Sequence, residues 1–327
     1  MARSLLNSRS LYHRAAFVAL CLLASAGSPD AKATFATFDT YRVFGINATG
    51  AVTGWYRGGN SFVRTPDGTL TLFAVPEGTG TEAMSINDDG VIAGYYNDNV
   101  GTAHGFVRGA DGTISTFDVR GAHQTYVSGI NNKGEIVGSY ADSADHPHGF
   151  LRTTSGKIRT FDPSGAANGT FGSGINDKGV IVGEYSDAGG VGHGFVRAAN
   201  GSITTIDGPQ AEVTSATAIN IKGVITGYYD DSDGIQHGFI RTPDGTMTSF
   251  EDLSCNIVPW SINRKGIVTG TCENRENPSH FVGFLRQTNG NVNEFHVPDG
   301  GSTEARGIND SGEIAGSYRG GGFLRFP

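Results

Sequence analysis

The feature that most constrains this chain is a repeat. An Ile-Asn pair ends at Asn47, Asn87, Asn131, Asn176, Asn220, Asn263 and Asn309, at spacings of 40, 44, 45, 44, 43 and 46 residues. Each Asn is followed three residues later by Gly, from Gly50 in repeat 1 to Gly312 in repeat 7. Periods of this length belong to propeller blades or helical arrays. The contents exclude helices, because apolar residues alternate in short runs broken by Gly turns.

Repeat 3 shows the unit. Thr125-Tyr-Val-Ser-Gly-Ile-Asn131, Glu135-Ile-Val-Gly-Ser-Tyr140, His148-Gly-Phe-Leu-Arg152 and Lys157-Ile-Arg-Thr-Phe161 read as four short strands, termed a, b, c and d. The Asn-x-x-Gly link between a and b is a tight hairpin, with Asn at the first turn position and Gly supplying positive φ. A second hairpin joins c to d, as at Asp67-Gly68 and Asn200-Gly201. Four antiparallel strands per unit is the make-up of a propeller blade.

The chain ends specify closure. Repeat 7 stops after strand c at Gly322-Phe-Leu-Arg325, whereas Ala33-Thr-Phe-Ala-Thr-Phe-Asp39 matches a strand d such as Thr113-Ile-Ser-Thr-Phe-Asp118. The expected fold is therefore all-β, a seven-bladed β-propeller of four-stranded antiparallel blades over residues 34–327. Its N-terminal strand completes blade 7, so no edge is left open. Strand a is expected innermost, since small residues such as Ser128-Gly129 and Ser173-Gly174 suit a crowded axis. The b–c loops and d–a crossovers then share one face, called the top.

Ahead of the repeats, Arg3, Arg9 and Arg14 precede the apolar run Ala15 to Leu23 and the small residues Ala24-Ser25-Ala26. That order is a secretory signal peptide over residues 1–26, with cleavage as late as Ala33 also compatible. No later stretch is long and apolar enough to span a bilayer. Removing the signal shifts the net charge from −8 to −11. Such a balance repels phosphate backbones, so nucleic acid is not the expected partner. A secreted, periplasmic or extracellular monomer is expected. There, Cys255 and Cys272, which flank strands a and b of repeat 6, are placed to form a disulfide.

Gly-Ile-Asn-x-x-Gly-x-Ile-x-Gly-x-Tyr followed by His-Gly-Phe-x-Arg resembles the bacterial extracellular HAF-repeat proteins. The signature reads His-Gly-Phe at His104, His148, His193 and His237, and it degrades to Asn60-Ser-Phe62 in repeat 1 and His280-Phe-Val-Gly-Phe284 in repeat 6. The resemblance covers roughly residues 34–327 and implies export and repetition rather than a reaction.

Residues present in every repeat point to architecture, because a reaction needs one constellation. The strand-c Arg, from Arg64 to Arg325, is expected to satisfy carbonyls or acids between blades, with the neighbouring Phe as inter-blade core. The strand-c His lacks a partner at metal-ligand spacing and reads as a structural hydrogen-bonding group. Asp98, Asp142, Asp187 and Asp231 form an acidic rim; Ca2+ at Asp231 and Asp233 is the alternative, although the EF-hand order is missing. No other cofactor is expected. There is no Gly-x-Ser-x-Gly elbow, phosphate loop or dinucleotide fingerprint.

The departures from the repeat carry the functional expectation. From the strand-b Tyr, or its equivalent, to the strand-c Phe the spacing is 10 in repeats 2 to 5 and 12 in repeat 6. It falls to 6 in repeat 1 (Tyr56 to Phe62) and 5 in repeat 7 (Tyr318 to Phe323). Two adjacent shortened loops predict a notch in the top rim, with Arg57 and Arg319 beside it. Guanidinium groups bind carboxylate or sulfate bidentately. Trp55, Tyr56 and Tyr318 are candidates to stack on sugar rings, and irregular repeat 6 adds Trp260 and His280. The expected function is a non-catalytic, secreted module that binds extracellular carbohydrate or another surface polymer. The alternative is a polysaccharide-acting enzyme, a uronate lyase or glycoside hydrolase, at repeats 6, 7 and 1. Tyr56, Tyr318 or His280 would then be its acid or base. The plain reading is that the short loops accommodate chain closure.

Overall fold

The computed structural model describes residues 33–251, 255–277, 279–298 and 300–327. Residues 1–26, where a signal peptide is expected, lie outside the described residues. Among the described residues there is no helix, and so none long and apolar enough to cross a membrane. The all-β expectation holds.

Each repeat folds as an antiparallel meander in chain order. In repeat 3, strands Gln124–Ile130, Ile136–Ala141, Pro147–Arg152 and Ile158–Phe161 pair successively. Repeat 7 supplies Thr303–Ile308, Ile314–Tyr318 and Gly321–Phe326, and its fourth strand is Thr34–Phe38, paired Thr34↔Phe326 through Phe38↔Gly322. The sheets of repeats 4 and 5 are joined at one residue pair, Gly192↔Val213.

The a–b and c–d links both close through Gly. Gly134 donates to the Asn131 carbonyl, and Asn131 donates in turn to the Glu135 carbonyl. Gly134 has φ 77°, a left-handed conformation that only Gly adopts freely. The Asn131 side chain completes the turn, its Oδ1 accepting from the amides of Lys133 and Glu135. Its Nδ2 then crosses to the next repeat and donates to the Asn176 carbonyl at 3.0 Å. All seven asparagines do this, each to the following one, and Asn309 returns to Asn47.

The core lies between neighbouring sheets. The strand-c phenylalanines Phe62, Phe106, Phe150, Phe195, Phe239, Phe284 and Phe323 are fully buried. Phe195 and Ile181 of repeat 4, for example, pack on Val137, Leu151 and Phe161 of repeat 3. Each buried Phe stabilises the fold by about 1.5–3 kcal/mol relative to exposure.

The strand-c Arg differs from expectation. Arg64, Arg108, Arg152, Arg197, Arg286 and Arg325 lie over strand-d rings of the preceding sheet, Phe38, Phe73, Phe117, Phe161, Phe250 and Phe295, at 4.8–5.1 Å. Among the described residues, inter-sheet acids and carbonyls are not its hydrogen-bond partners; Arg108, for example, donates to the adjacent Gly109 carbonyl at 3.3 Å. The cation–π contact replaces the expected polar bridge.

Strand a is innermost and carries a β-bulge in every repeat. Register shifts at Val43/Gly45, Ala83/Ser85, Val127/Gly129, Gly172/Gly174, Ala216/Ala218, Pro259/Ser261 and Ala305/Gly307 leave one unpaired residue each. The strand-b Gly explains why the bulge is possible. A Cβ at Gly138 would lie 2.0 Å from the Tyr126 carbonyl oxygen, so only Gly allows this approach.

Candidate functional site

The rim of repeats 2 to 5 is built from one device. Asp98 Oδ1 caps its own loop, accepting from the amides of Val100 and Thr102. Its other oxygen faces His104 Nε2 at 3.6 Å, while His104 Nδ1 bonds Asp118 at 2.9 Å and the ring stacks on Tyr96. His148 and His193 repeat this between Asp142 and Asp162 and between Asp187 and Asp207. The clip at His237 uses Asp231 and Glu251. The structural reading of these histidines holds. The amide hydrogen bonds lower the pKa of Asp98, Asp142 and Asp187. Burial works against a charged His193, but Asp207 and then Asp187 outweigh it and raise the pKa. As for Ca2+ ligands, Asp231 Oδ1 accepts from Asp233 and Ile235, and Oδ2 lies 2.8 Å from His237. Both oxygens are already engaged.

At repeats 6, 7 and 1 the device is missing. Strand b of repeat 1 ends at Tyr56 and strand c begins at Asn60; in repeat 7 the corresponding residues are Tyr318 and Gly321. A cleft of about 540 Å3 occupies this side of the top face. Four predicted residues line it together: Arg57, Arg319, Tyr318 and His280. The cleft also takes in Tyr41, Arg42, Ser302 and Glu304, which the sequence did not single out. Tyr41 is 51 % exposed. Among the described residues, Arg42, Arg57 and Arg319 form no salt bridge, whereas Glu304 is paired with Arg306 at 2.8 Å. An uncompensated positive cluster therefore sits on an acidic protein.

Three predicted residues lie elsewhere. Trp55 packs edge-on against Tyr41, ring centroids 4.8 Å apart, and backs the cleft rather than lining it. Tyr56 donates to Asp39 Oδ2 at 3.2 Å; burial and then Asp39 raise its pKa, so it stays protonated. Trp260 is the bulge residue of repeat 6 and points to the axis, with Arg306 stacked on it at 4.2 Å.

The seven bulge residues, Phe44, Met84, Ser128, Ser173, Thr217, Trp260 and Arg306, together line a central cavity of about 390 Å3. Among these bulge residues, the small side chains come from repeats 3 to 5. Glu184, Ser215 and Tyr228 complete the lining. Burial and then the Glu184 charge raise the Tyr228 pKa.

Cys255 and Cys272 form the expected disulfide, with Cα atoms 5.5 Å apart. They are diagonal neighbours, since Cys255 pairs with Asn274 and Ile257 with Cys272.

The chain matches no protein-family model and no curated protein. It is similar to solved structures of low identity. Virginiamycin B lyase from Staphylococcus aureus superposes with a TM-score of 0.65 at 14% identity, covering 90% of this chain and 98% of that one. The β-propeller domain of the trilobed protease from Pyrococcus furiosus gives 0.56 at 11%, covering 88% and 87%. A putative TolB from Agrobacterium tumefaciens gives 0.53 at 14%, covering 79% and 94%. The likeness shows the fold: repeated four-stranded antiparallel sheets arranged as in a β-propeller.

Proposed function

We propose that this chain is a closed, seven-bladed propeller that acts outside the cytoplasm as a monomeric binding module for an acidic glycan or similar surface polymer. The Asn47-to-Asn309 hydrogen-bond relay and the pairing of Thr34–Phe38 with Gly321–Phe326 support the ring and its closure. The signal-like N-terminus, the HAF-type repeat signature and the Cys255–Cys272 disulfide support export.

The observation that carries the ligand class is the convergence of Arg42, Arg57 and Arg319 on one cleft, with no salt bridge to any of them among the described residues and the cleft's Glu304 paired with Arg306. Guanidinium forks bind carboxylate or sulfate groups, and exposed Tyr41 with Tyr318 offers faces for sugar rings. A glycan array tests the proposal. Uronic-acid or sulfated glycans are expected to bind and neutral ones are not; binding confined to neutral glycans would contradict it.

His280 and Tyr318 line the same cleft, which favours one second reading, a polysaccharide-acting enzyme. A uronate lyase would release unsaturated ends that absorb in the ultraviolet, and a hydrolase would release new reducing ends. With a bound glycan, neither signal is expected from a binding module.

A further inference from the structure

The central cavity has its own chemistry, unrelated to the arginine cleft. Its lining is divided by the repeats that supply the bulge residues. Repeats 1, 2, 6 and 7 place large side chains there, Phe44, Met84, Trp260 and Arg306, whereas repeats 3 to 5 place Ser128, Ser173 and Thr217. Space is thereby left on the side of repeats 3 to 5, where Glu184 and Tyr228 enter from the second strands. Bulges are a means of re-aiming a side chain, and here all seven aim at the same volume.

The charges do not cancel. Arg306 is held by Glu304 at 2.8 Å and stacks on Trp260. Glu184, by contrast, has no salt bridge or side-chain hydrogen bond among the described residues, although it is partly buried and lines the same cavity as Tyr228, Trp260 and Phe44. A carboxylate withdrawn from water favours a cationic partner. Aromatic faces favour the same charge. The volume, about 390 Å3, suits one small molecule.

We propose that this axial cavity binds a small organic cation, a protonated primary amine on an apolar body. Glu184 is its counter-ion, Trp260, Phe44 and Tyr228 are its aromatic walls, and Ser173 and Thr217 offer hydroxyl acceptors. The site is distinct from the anion-binding cleft and does not depend on that reading.

Calorimetric titration with benzylammonium near neutral pH, with tryptophan fluorescence followed in parallel, tests the proposal. Benzyl alcohol and benzoate serve as the neutral and anionic counterparts. Benzylammonium is expected to bind and to change the Trp260 emission, with benzyl alcohol weaker and benzoate silent. Glu184→Gln is expected to weaken benzylammonium about tenfold or more, as for loss of a charge-assisted bond. No benzylammonium binding, equal affinity for benzyl alcohol, or an unchanged affinity in Glu184→Gln would each overturn the proposal. Should that variant fail to fold, Ser173→Leu fills the cavity from the first strand. Lost binding in this second variant is expected, and retained binding would contradict the site.

Discussion

Asn309 donates from its side-chain amide to the backbone carbonyl of Asn47, 262 positions earlier, at 3.3 Å. The same Asn309 Oδ1 accepts from Ser311 and Glu313, so one side chain both closes a turn and ties repeat 7 to repeat 1. Asn309→Ala leaves the turn amides and the Asn47 carbonyl without this partner. A loss of about 1–3 kcal/mol is expected, as for other broken buried hydrogen bonds, read from the urea midpoint. Asn176→Ala, at an internal link with the same geometry, should cost a similar amount. A negligible effect in both would show that the relay does not stabilise the fold.

The strand-c arginines make a graded prediction. Arg152 rests on the Phe117 ring at 4.9 Å, whereas the corresponding strand d before Arg241 ends at Ile206, which has no ring to offer. Arg152→Met should therefore destabilise more than Arg241→Met, by about 0.5–2 kcal/mol. Equal losses would mean that packing of the stem, and not the ring contact, sets the value.

The His193 clip gives stability a pH dependence of known sign. The imidazole pKa is raised above 6.5, so its contribution is complete below that value and is lost as pH rises through the folded value. The Asp187 pKa is lowered from 3.8, so its contribution is present above 3.8 and is lost as pH falls through the folded value. The gap in melting temperature between the wild type and His193→Gln should be widest at about pH 4–6.5 and narrow toward pH 8. A gap that widens with rising pH would contradict the arrangement.

The disulfide closes 17 residues of chain around strands a and b of repeat 6. Loops near this length gain about 3 kcal/mol from cross-linking. Reduction, or Cys255→Ser with Cys272→Ser, should lower the melting temperature accordingly. Identical melting with and without reductant would show that the bond adds no stability.

The repeat made much of this legible in advance. The seven Asn-x-x-Gly turns and the pairing of Thr34–Phe38 with the last strand follow from matching the repeats, and the gathering of Arg57, Arg319, Tyr318 and His280 follows from spacing, because loop length decides where the rim is cut away. Trp260 lines the central cavity rather than the cleft because a bulge adds a residue to strand a, and no residue type marks the shift that turns this ring to the axis. The Tyr56 hydrogen bond was not legible because its partner, Asp39, comes from the segment after the N-terminal strand, 17 positions away. Arg42 could have been found by comparing repeats. Its equivalents are Glu82, Tyr126, Phe171, Ser215, Val258 and Glu304, and it is the one cation among them.

Calorimetric titration of polygalacturonate into the wild type and into Arg57→Ala with Arg319→Ala tests most directly whether the arginine cleft receives an acidic polymer. The wild type should bind with an affinity that falls as salt is raised, and the double variant should lose at least about tenfold while melting normally. Undiminished binding by the double variant, or no binding by the wild type at low salt, would contradict the account.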